Sequence, residues 1–305
     1  MDIALIPNPS KPDAAEAARE LLKLLSSRLA RDAQGRGGGK GGQVKVMSCP
    51  TRADLLQFNP SLVVVLGGDG TILSTAQAMD GLEVPVLGVN FGKLGYLAAY
   101  SLEEFLENLD LILAGKAPHT ERLMLHGALY PWNNEDSSAI QSLAELEALT
   151  PRASGIALND IVINAGAPFR MIELEVQINQ QRTTSFRSDG LIVATASGST
   201  GYNLSAGGPL ISPEVAAMVL TPICPHTLSF RPVVLPASSS ILVCPHHLNA
   251  GSRVNFDGQV NVPIGEDECL LIRRATTRFM LVENPQISHW QMLAQKMHWA
   301  ESPRL

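Results

Sequence analysis

The run Gly67-Gly68-Asp69-Gly70-Thr71 places an acidic side chain inside a glycine-rich turn, after the apolar stretch Leu62-Val63-Val64-Val65-Leu66 and before Ile72-Leu73. A strand running through such a turn into a helix puts the turn at the carboxyl end of a parallel strand, where open α/β sheets bind ligands. Glycine lets backbone amides approach a phosphate closely, and a helix start adds a favourable dipole. Gly67, Gly68 and Thr71 are therefore expected to hold phosphate. Asp69 is the odd residue, because a carboxylate repels phosphate. Beside an amide-lined phosphate site it suits the acceptance of a proton from an attacking hydroxyl. The structural alternative is a tight strand–helix turn in which Asp69 caps the helix.

A second segment runs from Arg187 to Pro209 through Ser197-Gly198-Ser199-Thr200-Gly201-Tyr202-Asn203-Leu204-Ser205. Its small hydroxylated residues offer hydroxyls and amides to a polar ligand, and Tyr202 offers a ring for stacking on a flat base. A flexible linker does not fit, because Leu191 to Val193 lead in and Leu204 to Leu210 lead out. A third piece, Asn159-Asp160 ahead of Ile161-Val162, sets an amide beside a carboxylate, and a turn explains it equally well.

Other patterns carry no chemistry. Gly37 to Gly42 satisfies the glycine spacing of a dinucleotide fingerprint but is not set directly between a strand and a helix, so it reads as a surface loop. No Walker-type phosphate loop is present. The cysteines Cys49, Cys224, Cys244 and Cys269 form no C-x-x-C pair. Cys224-Pro225-His226 and Cys244-Pro245-His246-His247 lack the usual ligand spacing of a metal site, so no protein metal site is expected.

These motifs need two kinds of scaffold. Strands at Asp2 to Pro7, Gln43 to Met47, Ser61 to Leu66 and Val84 to Val89 alternate with helices from Pro12, after Thr51, after Thr71 and over Ser101 to Ala114, which implies a parallel sheet. From about Thr120 short β-rich runs take over: Leu123 to Tyr130, Ile156 to Asn164, Met171 to Ile178, Gly190 to Thr195, Ser240 to Val243, Arg253 to Phe256 and Cys269 to Arg273. Pro131 to Pro151 is a polar insertion, disordered in part or a short helix, and Ile287 to Ala300 is helical in pattern. A chain of 305 residues, 45% hydrophobic, supports two cores at roughly 150 residues per domain. The net charge of -6 argues against nucleic-acid binding. No basic leader and no apolar run of the ~18 residues a membrane span needs are visible, so a cytoplasmic protein without a membrane partner is expected.

Taken in order, the three segments resemble the NAD kinase family, together with Leu87 to Leu97, Glu121 to Leu125, Pro222 to Pro232 and Asp257-Gly258-Gln259. The Gly-Gly-Asp-Gly-Thr turn alone is shared with diacylglycerol and sphingosine kinases, whereas Gly198-Ser199-Thr200-Gly201-Tyr202 has the form typical of NAD kinases. The resemblance implies transfer of a phosphoryl group from ATP, carried with Mg2+, to the adenosine-ribose 2′-hydroxyl of NAD, with Asp69 as general base. It places Gly70 beside the dinucleotide and gives Asn159 and Asp160 the adenosine ribose or its neighbouring base. Arg170, Arg187, Asp189, Ser197, Thr200, Gly201, Tyr202, Asn203, Leu204, Ser205 and Gln259 match positions lining the NAD site. Ala196, Ser197 and Gly201 depart from the usual Pro, Thr and Ala, which makes the loop more flexible.

It also implies an α/β amino-terminal domain over 1–118, joined by about 283–305, and a mainly-β sandwich over 119–282, in a dimer or tetramer. The rivals are a lipid kinase of the diacylglycerol type, for which no membrane-facing signature is seen, and a non-catalytic NAD sensor, which would need no base.

Overall fold

The computed structural model describes residues 1–35, 41–92, 95–132, 143–227 and 229–297. The chain divides into two compact units, Met1–Glu121 with Phe279–Leu305, and Arg122–Arg278.

The first unit alternates β1 (Ile3–Pro7), α1 (Pro12–Gly35), β2 (Val44–Val46), α2 (Arg52–Phe58), β3 (Leu62–Leu66), α3 (Asp69–Met79) and β4 (Val86–Val89), followed by α4 (Leu102–Glu107) and α5 (Leu109–Leu113). Its strands pair in parallel in the order β2-β1-β3-β4. β3 is apolar at every position and wholly buried, as a parallel strand covered on both faces must be. Ala14, Ala18, Leu21 and Leu25 of α1 pack on Ile3, Leu5, Val64 and Leu66. Capping boxes at Thr51/Asp54 and Ser101/Glu104 start α2 and α4.

Two helix expectations change here. α3 begins at Asp69 rather than after Thr71, with Gly68 as its N-cap. The helix expected over Ser101 to Ala114 is two pieces, because Asn108 turns its side-chain amide onto the Glu104 carbonyl and leaves helical geometry (φ -93°, ψ 7°).

The second unit contains β5 (His119–Pro131, which begins in the first unit), α6 (Leu143–Ala148), β6 (Ala153–Ala157), β7 (Asp160–Asn164), β8 (Ile172–Ile178), β9 (Gln181–Ser188), β10 (Gly190–Thr195), a 3-10 turn at Ser197–Thr200, α7 (Tyr202–Ser205), β11 (Ala217–Ile223), β12 (Val233–Pro236), β13 (Ile241–His247), β14 (Arg253–Phe256), β15 (Val260–Pro263) and most of β16 (Glu268–Val282). One antiparallel sheet runs β12-β11-β10-β7-β14-β15; β16, β13, β8 and β9, with β5 and β6, form the other layer. Their inward residues, among them Leu125, Ile161, Leu174, Phe186, Val193 and Phe256, fill one core. α8 (His289–Met297) closes the chain in the first unit.

The strand expected over Ile156 to Asn164 is two, β6 and β7, parted at Leu158-Asn159. β16 extends well beyond Cys269 to Arg273. β9, β11, β12 and β15 come in addition. Of the polar insertion, 143–148 is helix with Leu146 buried, and 133–142 lies outside the described residues, as do 36–40 of the glycine-rich loop and 298–300 of the tail. Among the described residues no helix is long and apolar enough to cross a membrane.

Candidate functional site

In the first unit β3 delivers the glycine turn and α3 rises from it, so Asp69 occupies the first helical turn, where the dipole favours a carboxylate. The carboxylate does not cap its own helix. Its Oδ2 accepts from the Tyr96 amide at 2.8 Å, and its Oδ1 accepts from the Leu97 and Ala98 amides, each at 3.0 Å. Asp69 thus pins the loop that follows β4. Tyr96 carries a buried hydroxyl with no hydrogen-bond partner among the described residues, and its phenol is pushed up in pKa by burial and then by the Asp69 charge. From α8, the Lys296 ammonium stands 3.7 Å from Asp69 Oδ2 and 5.0 Å from the centre of the Tyr96 ring.

The glycines of the turn differ in why they must be small. A Cβ on Gly67 would meet the Thr71 hydroxyl at 2.3 Å, so the fold itself requires that glycine. Among the described residues a Cβ on Gly68 or Gly70 would meet nothing within 4 Å, so their small size leaves space above the helix start. Thr71 is nearly buried, and its hydroxyl accepts from the Asn8 side chain at 2.8 Å.

In the second unit three elements converge at one end of the inner strands of the six-stranded sheet: the start of β7, the end of β10 (Ala194 opposite Asp160) and the β14–β15 turn. Asp257 organises this end. It lies with Gly258 at positive φ (53° and 65°), which is the mirror-image tight turn that glycine favours, and Gln259 N–H closes it on the Phe256 carbonyl. Its carboxylate accepts from the amides of Leu158, Asn159 and Asp160 at 2.8, 2.7 and 3.1 Å. The neighbouring Asp160 is buried, and desolvation followed by the Asp257 charge raises its pKa to about 7. Asn159 is half-buried with its Oδ1 unpartnered.

Thr195 ties the adjoining loop down, donating to the Leu158 carbonyl at 2.7 Å and accepting from the Gly198 amide at 2.9 Å. A Cβ on Gly198 would overlap the Asn159 carbonyl, at 2.0 Å. Ser197, Thr200, Gly201 and Leu204 are half-buried, while Tyr202 and Ser205 are exposed. Asn203 lies below them, fully buried, donating to the Ser199 and Pro209 carbonyls and accepting from the Thr221 hydroxyl. Its side chain is a strut inside the loop.

Asp189 and Arg187 sit at the other end of β10, where Gly190 faces Asn164. Burial first, and then the charges of Cys224, Asp160 and Asp189, push the Tyr202 phenol up in pKa. Arg187 pairs with Glu173 across β8–β9 at 2.8 Å. Arg170 and Gln259 are exposed, and the Arg170 carbonyl accepts from Asn249 at 2.6 Å.

The Cys/His pairs do not converge: Cys244 lies buried against Cys269, and His246 faces Glu175 at 3.1 Å. Among the described residues no group of three or more His, Cys, Asp or Glu side chains is placed to hold a metal. A hollow of about 530 Å³ is lined by none of these residues; Arg152 and Glu268, which line it, pair with each other.

Family models of the ATP-NAD kinase amino-terminal and carboxy-terminal domains match residues 3–117 and 158–284. The chain belongs to the NAD kinase family. The NAD kinase of Geobacter sulfurreducens is 36% identical over 284 residues, covering 93% of this chain and 90% of its own, and that of Laribacter hongkongensis is 35% identical over 305 residues, covering 98% and 97%. Yeast NADH kinase complexed with NADH superposes with a TM-score of 0.77 at 25% identity, covering all of this chain and 90% of its own. An Archaeoglobus fulgidus NAD kinase in complex with ATP shares the fold, with a TM-score of 0.73 at 24% identity over 98% and 99% of the two chains.

The chain is therefore an enzyme that phosphorylates NAD. Within this NAD kinase frame the sequence motifs include Asp257, in Asp257-Gly258-Gln259, without giving it a role, and they pass over Lys296 beside Asp69. The Asp257-Gly258 dipeptide is a turn signal; nothing in the local sequence around Lys296 points to Asp69, 227 positions earlier.

Proposed function

We propose that this enzyme transfers the terminal phosphoryl group of ATP to the 2′-hydroxyl of the adenosine ribose of NAD, giving NADP and ADP, with Asp69 taking the hydroxyl proton. The carrying observation is the Asp69 carboxylate, held by three amides at a helix start whose glycines, Gly68 and Gly70, open onto free space. A carboxylate offers about four lone-pair directions, so three amides leave room for a hydroxyl donor. The amides of Gly68 and Gly70 and the dipole of α3 receive the phosphates, while the Gly67 amide, donated to the Val89 carbonyl at 2.8 Å, holds the turn in place.

The orphan Asn159 Oδ1 accepts from a ribose hydroxyl or the base beside it, and Asp160 shares that contact. Tyr202 supplies the stacking ring; Ser197, Thr200, Gly201, Leu204 and Ser205 line the pocket through backbone and hydroxyl groups, with Arg170, Arg187, Asp189 and Gln259 at its rim. Asn203 contributes by holding that loop. Mg2+ would arrive on the nucleotide, where it would neutralise phosphate charge and keep most of its waters. A cytoplasmic location and a homo-oligomeric dimer or tetramer belong to the same proposal.

The test is incubation of the purified protein with NAD and ATP-Mg2+, and detection of NADP with an NADP-specific dehydrogenase. A lipid kinase would instead phosphorylate diacylglycerol, and an NAD sensor would bind NAD without turnover.

A further inference from the structure

We propose that Lys296, on α8, is a further catalytic residue of the phosphoryl-transfer centre, the cation that receives the terminal phosphoryl oxygens of the donor beside Asp69. The inference rests on the reading of Asp69 as the transfer site.

That reading leaves an electrostatic difficulty. An anionic phosphoryl group must come up to an anionic carboxylate, and two like charges about 4 Å apart repel at the effective dielectric of a protein surface. The amides of the turn and the α3 dipole offset part of this. The remainder calls for a cation, and the Lys296 ammonium is the one that forms an ion pair with Asp69 among the described residues, 3.7 Å from Oδ2.

The geometry fits a group waiting for a second anion. A direct ammonium–carboxylate hydrogen bond lies near 2.7–2.9 Å. At 3.7 Å Lys296 is attracted to Asp69 without donating to it, and no hydrogen bond from its three N–H groups is made among the described residues. Its ammonium stands 5.0 Å from the centre of the Tyr96 ring, within cation–π range. Tyr96 is in turn fixed to Asp69 through its own amide. The lysine is about a quarter exposed, so solvent or a ligand reaches it. Charge position and the direction of attack are thereby set from one small frame of Asp69, Tyr96 and Lys296.

In the step itself the 2′-oxygen forms a bond to the terminal phosphorus, the bridging P–O bond breaks, the electron pair leaves with the diphosphate, and the proton passes to Asp69. Lys296 stabilises the charge on the transferring oxygens.

Lys296→Met keeps an unbranched apolar stem and removes the charge; Lys296→Arg restores the charge in a different shape. Loss of one preorganised donor at developing charge costs on the order of 100-fold in turnover. In the full-length protein, Lys296→Met should lower NADP formation from NAD and ATP-Mg2+ by about that factor, raise the donor requirement, and leave NAD binding without donor unchanged, while Lys296→Arg recovers at least a tenth of normal turnover. Should Lys296→Met fail to fold, Lys296→Gln carries the same comparison. Wild-type turnover in the uncharged variant, an arginine variant as poor as the methionine one, or a loss that tracks NAD binding would each overturn the proposal. An unaltered protein that makes no NADP would overturn the reading of the site as well; an active one with an indifferent Lys296 sinks this inference alone.

Discussion

Gly95 faces Asp69 so closely that a Cβ there would stand 1.9 Å from the carboxylate Oδ1. The glycine is what allows Asp69 to reach the Leu97 and Ala98 amides. Gly95→Ala should push the carboxylate off its three donors and lose both thermal stability and NADP formation. Gly70→Ala is the contrast. It meets nothing within 4 Å and lies inside α3, where alanine gains ~0.5–1 kcal/mol over glycine. It should melt at or above the wild-type temperature and yet turn over at least about tenfold more slowly, because the methyl occupies space kept for phosphate. Full activity in Gly70→Ala would remove that turn from the phosphate site.

Asp160 makes stability depend on pH. Its folded pKa of about 7 lies above the ordinary 3.8, so between those values the folded protein holds a proton that the unfolded chain has released. Its contribution is complete below about pH 4 and is lost as pH rises to about 7, with a ceiling of ~4 kcal/mol at ~1.4 kcal/mol per unit. Denaturant unfolding from pH 4 to pH 8 should show this decline, and Asp160→Asn should flatten it. An unchanged slope in Asp160→Asn would assign the decline to other groups.

Asn159→Ala or Asp160→Ala should weaken NAD use more than ATP use. Hydrogen bonds involving charged groups are worth roughly 1.5–3 kcal/mol, so the NAD requirement should rise by about tenfold or more with the donor requirement little changed. Equal effects on both substrates, or none on NAD, would contradict the placement of this pair.

Asp257→Ala strips the acceptor from three neighbouring amides at once. Each buried orphan costs about 1–3 kcal/mol, so the thermal midpoint should fall by more than about 5 °C and NAD binding should weaken with it. A midpoint within a degree of wild type would show that water replaces Asp257.

Much of this architecture was legible because its signals are local. Runs such as Leu62 to Leu66 and Gly190 to Thr195 are continuously apolar and bounded by glycine, and β3 and β10 form there. The Asp69 turn and the Asn159-Asp160 pair were likewise visible as short motifs. What escaped depends on distant partners. β9 and β12 are largely exposed and polar or short, so tertiary pairing rather than pattern makes them strands. The resemblance gave Asn203 a place in the NAD site, and no local pattern shows that Thr221 arrives from β11 to donate to its side chain. Asp69 as an anchor for the loop after β4 needs a neighbour 27 to 29 positions away, and no sequence pattern carries that.

The central claim is that Asp69 takes the proton of the attacking hydroxyl, and its anchoring role shapes how that is tested. In Asp69→Asn the remaining carbonyl oxygen can still accept from Leu97 and Ala98, but the new amide would point a donor at the Tyr96 N–H, at a cost of about 1–3 kcal/mol. The decisive measurement is the turnover of Asp69→Asn at saturating NAD and ATP-Mg2+, with NAD binding measured on the same folded sample. Loss of a positioned general base predicts a fall of ~100 to 10,000-fold while NAD still binds. Near-normal NADP formation by the folded variant would contradict the assignment and leave Asp69 as the anchor of its loop alone.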